Sequence, residues 1–285
     1  MMLNSPIFSS ERQPISRVLT LTLIIGAIIA TFLLEIKSHA AISSTTWIFA
    51  VISIALVITG WLVLDKDRSR AESNGTNVGT NTALFSRGML IIVAGAMVAS
   101  TSSYFNRLGL ASSISFMLTF FAIGFYDQYG RKSRLAGLIL APILCGSLFT
   151  SVAGVLGNPV IGIFPGVIAA LLVLVLRVTL EIEREIVSVH GTKDDETIYH
   201  MYRRRLAWTA GAFFMFGVVS FWPWLGGIYG NAYFWLLILG VILPLVFFWG
   251  RLRQPRSEGA QTALIRFNRI APFIAFVLLL AFVIG

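Results

Sequence analysis

The amino-acid sequence predicts an all-α protein that crosses a membrane many times, and three observations support this fold class. Hydrophobic residues make up 56% of the 285 residues and charged residues only 12%, about half the charged share of a soluble domain. Apolar stretches of a length that spans a bilayer as a helix recur nine times. Lys and Arg are concentrated in alternate connections between these stretches, as the positive-inside rule requires.

The apolar stretches, in chain order, are 18–36, 46–64, 86–105, 108–126, 135–155, 159–176, 206–222, 230–249 and 270–285. The first resembles a signal sequence, but its length and the charges of Glu35 and Lys37 favour a retained span. The last is short, because about 16 residues rise roughly 24 Å, less than a hydrocarbon core of roughly 30 Å. We predict one integral membrane domain, 1–285, in which a short tail, 1–17, precedes nine transmembrane helices.

The basic residues give the orientation of the chain. With the N-terminus inside, 20 of the 22 Lys and Arg residues fall inside and only Lys37 and Arg107 fall outside. This predicts a cytoplasmic N-terminus and three long cytoplasmic loops, 65–86, 177–205 and 250–269. These loops account for the net charge of +9, so we expect membrane lipid as a partner and no nucleic acid.

The tryptophans fall near the ends of the predicted spans. Those at outer ends are Trp47, Trp222, Trp224 and Trp235, and those at inner ends are Trp61, Trp208 and Trp249. Indole rings prefer the headgroup region of a bilayer. We therefore interpret the tryptophans as an aromatic belt and not as a cofactor site.

A polar cluster follows the second apolar stretch. Residues 65–72 hold three acids and three bases. One interpretation is a solvated helix end whose long side chains reach toward water. The other is the entrance of a site that binds an anion coordinated to a metal ion. Carboxylates are ligands for Mg²⁺, and basic side chains neutralise phosphate oxygens.

A second polar cluster, 177–195, continues the sixth apolar stretch. Glu181 and Glu185 are four residues apart, so they share a helix face, and Arg177 precedes Glu181 by one turn. One interpretation is a ladder of salt bridges on a helix that leaves the membrane. The other is a second carboxylate arm that faces the first.

Residues 180–192 resemble the second motif of the UbiA-type prenyltransferases, which reads approximately R-E-I-I-K-D-I-E-D-V-E-G-D. The identical or similar positions are Glu181, Arg184, Glu185, Ile186, Val189 and Gly191. The segment 126–137 is similar to the Tyr and Lys-Arg segment that the family carries between its fourth and fifth helices. The family also has nine helices, an inside N-terminus and cytoplasmic motifs, in agreement with the layout predicted above.

The first cluster lies where that family carries N-D-x-x-D-x-x-x-D. Asp65 keeps the first Asp, Glu72 replaces the third, Leu64 replaces the Asn and Arg68 replaces the second Asp. The Gly60-Trp61 pair before the motif is also similar to the family.

The resemblance implies an intramembrane enzyme that ionises the allylic C–O bond of a prenyl diphosphate and transfers the prenyl group to a lipophilic acceptor. It implies catalytic roles for Asp65, Glu72 and Glu185, which together with Glu181 would hold Mg²⁺. The basic residues that it assigns to the diphosphate are Lys66, Arg68, Arg131, Lys132 and Arg184. The two carboxylate arms are then expected to approach each other across a polar pocket.

The chain departs from the family pattern at several acids. Arg68 stands where a metal ligand is expected, and a nearby cation opposes metal binding. Ser188 and Thr192 replace two acids of the second motif. Alternatives are a UbiA-type terpene cyclase, or a protein without turnover that binds lipid or a partner enzyme. An unrelated transporter or channel is disfavoured, because nearly every charge lies at the ends of the spans.

Overall fold

The computed structural model describes residues 44–73, 87–105, 110–126, 134–155, 159–189, 195–252 and 258–285, and all its regular elements there are helical. The helices are α1 (Ser44–Ser73), α2 (Arg87–Phe105), α3 (Leu110–Phe125), α4 (Arg134–Val155), α5 (Ile163–Val189), α6 (Asp195–Leu225), α7 (Asn231–Leu236), α8 (Leu243–Leu252) and α9 (Glu258–Ile284). A 3₁₀ turn, Pro159–Gly162, precedes α5. A π-helical segment, Leu237–Ile242, joins α7 to α8 in one continuous rod. Eight of the nine apolar stretches coincide with these helices, and the first, 18–36, lies outside the described residues.

Where the structure describes the segments predicted as long cytoplasmic loops, they are helical. α1 continues to Ser73, α5 continues to Val189, and α6 already begins at Asp195. The last apolar stretch is short, as predicted, and runs over Ile270–Ile284, but the helix that contains it, α9, begins earlier and has 27 residues. Charged side chains at helical spacing support a helix beyond the apolar region, so hydropathy alone places the helix ends too early.

Large apolar side chains cover much of the surface of the described helices. Along the α7–α8 rod, one face exposes Trp235, Leu239, Leu243 and Phe247 by 58–68%, and the other buries Tyr233, Leu237, Val241 and Leu245 to 1% or less. A helix that is apolar on both faces packs on one side and lies against lipid on the other. Leu206–Leu225 and Asn231–Arg251 are each long and apolar enough to cross a membrane. The protein is an integral membrane protein.

The described helices divide into two compact units. The first comprises Met1–Gly137 and Ser147–Ile163, and the second comprises Leu138–Gly146 and Phe164–Gly285. The first unit therefore holds α1 to α3, the second holds α5 to α9, and α4 contributes to both.

Within the first unit, hydroxyl groups link α3 to α4. The Thr119 Oγ1 donates a hydrogen bond to the carbonyl of Ser147 at 2.9 Å and also contacts the Ser151 Oγ. Thr119 and Ser151 are 2% and 1% exposed, so neither hydroxyl has access to water. Hydrogen bonds of this kind hold membrane helices together because lipid offers no alternative partner.

Thr119→Val is expected to destabilise the first unit by about 1 kcal/mol. Valine preserves the shape of the side chain but removes the donor to Ser147 and leaves the buried Ser151 Oγ without this neighbour. The measurement is the unfolding free energy of the purified protein in mixed micelles. Thr119→Ser keeps the hydroxyl and is the control; equal losses for the two variants would contradict a role for this hydrogen bond.

Within the second unit, α6 and α7 form an antiparallel hairpin. Gly227 in the connecting turn has a φ of 69°, a left-handed conformation that glycine adopts without strain. Behind the turn, the Tyr233 hydroxyl donates to the carbonyl of Ser220 at 2.8 Å, and the Trp224 and Phe234 ring centroids are 4.3 Å apart. These contacts fix the two helices at their turn end.

Candidate functional site

The approach to the first cluster is built by the packing of α1 on α2. The buried positions of α1 include Ser53, Val57, Gly60 and Leu64, and those of α2 include Gly88, Ile92, Gly95 and Ala99. Each set recurs at intervals of three or four residues and therefore forms one helix face. Small residues on both faces allow two membrane helices to approach closely.

The helices come closest where Gly60 meets Gly88. A Cβ atom on Gly88 would lie 2.6 Å from the Gly60 carbonyl oxygen and 2.6 Å from the Leu64 backbone nitrogen. A Cβ atom on Gly60 would lie 2.6 Å from the Gly88 carbonyl oxygen. Real Cβ atoms do not approach backbone atoms so closely, so glycine is required at both positions. This crossing lies one helical turn before Asp65, the first acid of the cluster.

Trp61, next to the crossing, packs against Tyr126 at the end of α3. Their ring centroids are 5.6 Å apart, with an angle of 37° between the ring planes. The two residues are 6% and 8% exposed, so the interpretation of Trp61 as part of the aromatic belt is wrong. Its partner Tyr126 begins the third family-like segment, 126–137. The structure therefore brings together the starts of two segments that the sequence analysis singled out separately.

Leu64 accounts for one departure from the family motif. It is 0% exposed, and it lies against Gly88, where an added Cβ would be 2.7 Å from the Leu64 Cβ. A side chain enclosed in this way is a packing residue and cannot be a ligand. The first acid that follows the crossing is therefore Asp65.

The predicted site residues of the first cluster lie on the C-terminal extension of α1. The Lys66 side chain is exposed. Asp65, Arg68 and Glu72 belong to the same helix, but their side chains lie outside the described part of the structure. Asp65 and Glu72 are seven residues apart on continuous helix, so their positions fall on the same side of α1.

The predicted residues of the second cluster lie on the C-terminal extension of α5. Glu181, Arg184 and Glu185 have helical backbone, and their side chains also lie outside what the structure describes. Just before them, Thr179 is 2% exposed, and its hydroxyl donates to the Val175 carbonyl at 2.8 Å. Thr179 thus gives α5 a buried position just before the second cluster, as Leu64 does on α1 before the first. The two remaining predicted residues, Arg131 and Lys132, fall outside the described residues.

The two clusters carry oxygen donors of the type that Mg²⁺ prefers. α1 carries Asp65 and Glu72 on one side, and α5 carries Glu181 and Glu185 four residues apart on one side. Mg²⁺ prefers oxygen ligands and is commonly held by one or two carboxylates, the remaining positions being filled by water or substrate phosphate. The carboxylates of both helices are of this ligand type, and their binding of Mg²⁺ stays a prediction. The meeting of the two arms stays a prediction.

Gly88 and Gly95 allow the close approach of α2 to α1, and the sequence motifs did not identify them. They are seven residues apart on α2, which places them on one helix face, and a Cβ on Gly95 would lie 2.9 Å from the Ser53 carbonyl oxygen. The seven-residue spacing of the two glycines within an apolar stretch was the available signal. It indicates a close helix contact, although it does not identify the partner helix.

Comparisons with known proteins support the fold. No family model and no curated protein sequence matches the chain. The solved structure of digeranylgeranylglyceryl phosphate synthase in membranes matches it over 95% of this chain and 98% of that chain, with a TM-score of 0.64 and 19% sequence identity. The chain therefore has the fold of that synthase, in agreement with the resemblance to the UbiA-type prenyltransferases that the sequence motifs suggest.

Proposed function

We propose that the protein is an intramembrane enzyme that transfers the prenyl group of a prenyl diphosphate to a lipophilic acceptor. The contact of Trp61 with Tyr126 at 5.6 Å carries the proposal, because it joins the approach to the first acidic cluster to the start of the basic segment 126–137. A prenyl diphosphate needs both kinds of group, carboxylates to hold a metal ion and basic side chains to bind phosphate oxygens. The similarity to a solved synthase over 95% of the chain agrees with this chemistry.

In the proposed reaction, the bond between the allylic carbon C1 and the bridging oxygen breaks, and its electron pair leaves with diphosphate. A nucleophilic atom of the acceptor forms the new bond to C1 and then loses its proton. Bound Mg²⁺ would neutralise charge on the departing diphosphate, and Asp65, Glu72, Glu181 and Glu185 would hold it. Lys66, Arg131, Lys132 and Arg184 would bind diphosphate oxygens, with Arg68 supplying a fixed positive charge where the family has an acid.

A site without turnover is the second candidate, and the burial of Leu64 favours it. The family motif has an amide side chain at this position, whereas Leu64 is enclosed between α1 and α2. With Arg68, Ser188 and Thr192 also replacing motif residues, the metal-binding set is smaller than in the family. Such a protein would bind a prenyl diphosphate or another lipid without breaking it down.

The test is pyrophosphate release by the purified protein in nanodiscs. Geranyl, farnesyl and geranylgeranyl diphosphates are supplied in turn together with a membrane lipid extract as the source of acceptor. Release is expected with Mg²⁺, is expected to stop when EDTA is added, and should return when Mg²⁺ is restored. Product analysis then separates transfer to an acceptor from cyclisation of the prenyl chain.

A binding measurement separates the two candidates. Farnesyl thiodiphosphate, which resists ionisation, is expected to raise the unfolding temperature of the protein when Mg²⁺ is present. Stabilisation without pyrophosphate release from any substrate would favour the protein without turnover. The absence of both stabilisation and release would overturn the prenyl diphosphate proposal.

A further inference from the structure

The hairpin of α6 and the α7–α8 rod carries exposed basic residues at the end opposite its turn. Arg203 and Arg204 are exposed on α6, and Arg251 is exposed on α8. Arg204 lies 21 residues before Leu225, and Arg251 lies 20 residues after Asn231. Both therefore lie about 30 Å along their helices from the turn. We call Arg203, Arg204 and Arg251 the basic foot of the hairpin.

On α6, the basic foot stands at the end of a continuous exposed stripe. The large side chains of the stripe are Trp208, Met215, Val218, Trp222 and Leu225, which are 51–71% exposed. They follow Arg204 at intervals of three or four residues, or a sum of such steps, so Arg204 and the stripe share one face of the helix. A cation, an indole ring and an apolar surface succeed one another along this face.

On α8, the same order of groups is found in the opposite chain direction. The Arg251 guanidinium carbon is 5.4 Å from the centroid of the Phe247 ring, a cation–π contact within the usual range. Phe247 is 68% exposed and continues the apolar stripe of Leu239 and Leu243. The guanidinium group of Arg251 thus lies at the end of an exposed apolar surface, as Arg204 does on α6.

We propose that Arg204 and Arg251 of the basic foot each bind the headgroup of an anionic phospholipid whose acyl chains lie against the apolar stripe of the same helix. Arg204 lies about one turn beyond Trp208, an exposed indole of the kind that marks the headgroup boundary, so the foot is at headgroup depth. Guanidinium groups bind phosphate oxygens in pairs of parallel hydrogen bonds. A soluble anion would complement the charge alone, whereas a phospholipid covers the adjoining apolar surface too. Both sites are independent of the proposed prenyl diphosphate chemistry.

The experiment is a native mass spectrometry titration of the full chain in detergent with phosphatidylglycerol and, separately, with phosphatidylcholine. The unaltered protein is expected to bind phosphatidylglycerol more tightly. Arg204→Gln and Arg251→Gln are each expected to weaken the binding of one phosphatidylglycerol molecule about five-fold, and the double variant that of both molecules, since each cation near an anionic lipid contributes about equally. Binding of phosphatidylcholine should change little in all three variants.

Arg87→Gln is the matched control. Arg87 is also an exposed arginine at a helix end, but it begins α2 in the first unit and lies outside the hairpin. If this variant loses phosphatidylglycerol as strongly as Arg204→Gln does, the attraction belongs to the overall basic charge and the proposal is overturned. Equal affinity of the unaltered protein for the two lipids would overturn it as well. Since all three arginines that are changed are exposed, size-exclusion chromatography should show folded, monodisperse protein throughout.

Discussion

Gly88→Val is expected to destabilise the protein by at least about 3 kcal/mol, the upper end of the cost of overpacking a core. The valine Cβ would lie 2.6 Å from two backbone atoms of α1, the Gly60 carbonyl oxygen and the Leu64 nitrogen. Backbone atoms of a packed helix cannot rotate away as the end of a long side chain can. α1 and α2 must therefore separate, and the fully buried Leu64 loses its contacts. The measurement is the unfolding free energy in mixed micelles.

Gly217→Val provides the matched control for Gly88→Val. Gly217 also lies inside an apolar helix, α6, but a Cβ placed there meets nothing within 4 Å. The control is therefore expected to change the unfolding free energy by less than about 1 kcal/mol. Similar losses in the two variants would show that glycine is needed for helix flexibility in general and not for the close approach of α1 and α2.

Glu185→Gln is expected to reduce Mg²⁺-dependent pyrophosphate release by at least about 100-fold, the upper end of what the loss of a group around a metal ion costs. Glutamine has the shape of glutamate, but its neutral oxygen is a weaker ligand for a hard cation. The folding of α5 should not change. The loss is measured as kcat/KM at several Mg²⁺ concentrations, with whichever of geranyl, farnesyl and geranylgeranyl diphosphate the unaltered protein uses best. Partial recovery at high Mg²⁺ would identify the defect as metal binding.

Glu183→Gln is the control on the same helix. Glu183 is two residues from Glu185, which places the two positions on nearly opposite sides of α5. This variant removes the same charge from the same segment, so an effect of net charge alone would be equal in both. Retained activity in Glu183→Gln and lost activity in Glu185→Gln is the expected pattern. Equal activities would remove Glu185 from the site.

The sequence predicted the helices well because a bilayer imposes one rule on every span. A helix in lipid must be apolar along its length, so the stretches 206–222 and 230–249 are recognisable one by one. The rule ends where the membrane ends, and for this reason hydropathy did not give the lengths of the helical extensions to Ser73 and Val189. The π-helical segment Leu237–Ile242 also has no distinct apolar pattern and could not be predicted.

The sequence predicted which residue types the candidate site contains, but not the helix contacts that hold these residues in place. Gly60, Trp61 and Tyr126 were singled out by resemblance, and that comparison gave no physical reason for them. The structure supplies the reason, since Gly60 permits the close crossing with Gly88 and Trp61 packs on Tyr126. The prediction that Trp61 belongs to the aromatic belt failed because an indole combines an apolar ring with a polar N–H group. A tryptophan at a helix end can therefore lie in the headgroup region or pack inside the protein. Only the partner helix distinguishes the two.

The exposed tryptophans of α6 have a consequence for the membranes in which the protein resides. Trp208 and Trp222 are 64% and 62% exposed and 14 residues apart, which corresponds to about 21 Å along the helix. Indole rings anchor at the boundary of the headgroups, and a typical hydrocarbon core is about 30 Å thick. The two anchors therefore produce hydrophobic mismatch in a thick bilayer, which favours local thinning or sorting of the protein into membranes with shorter acyl chains.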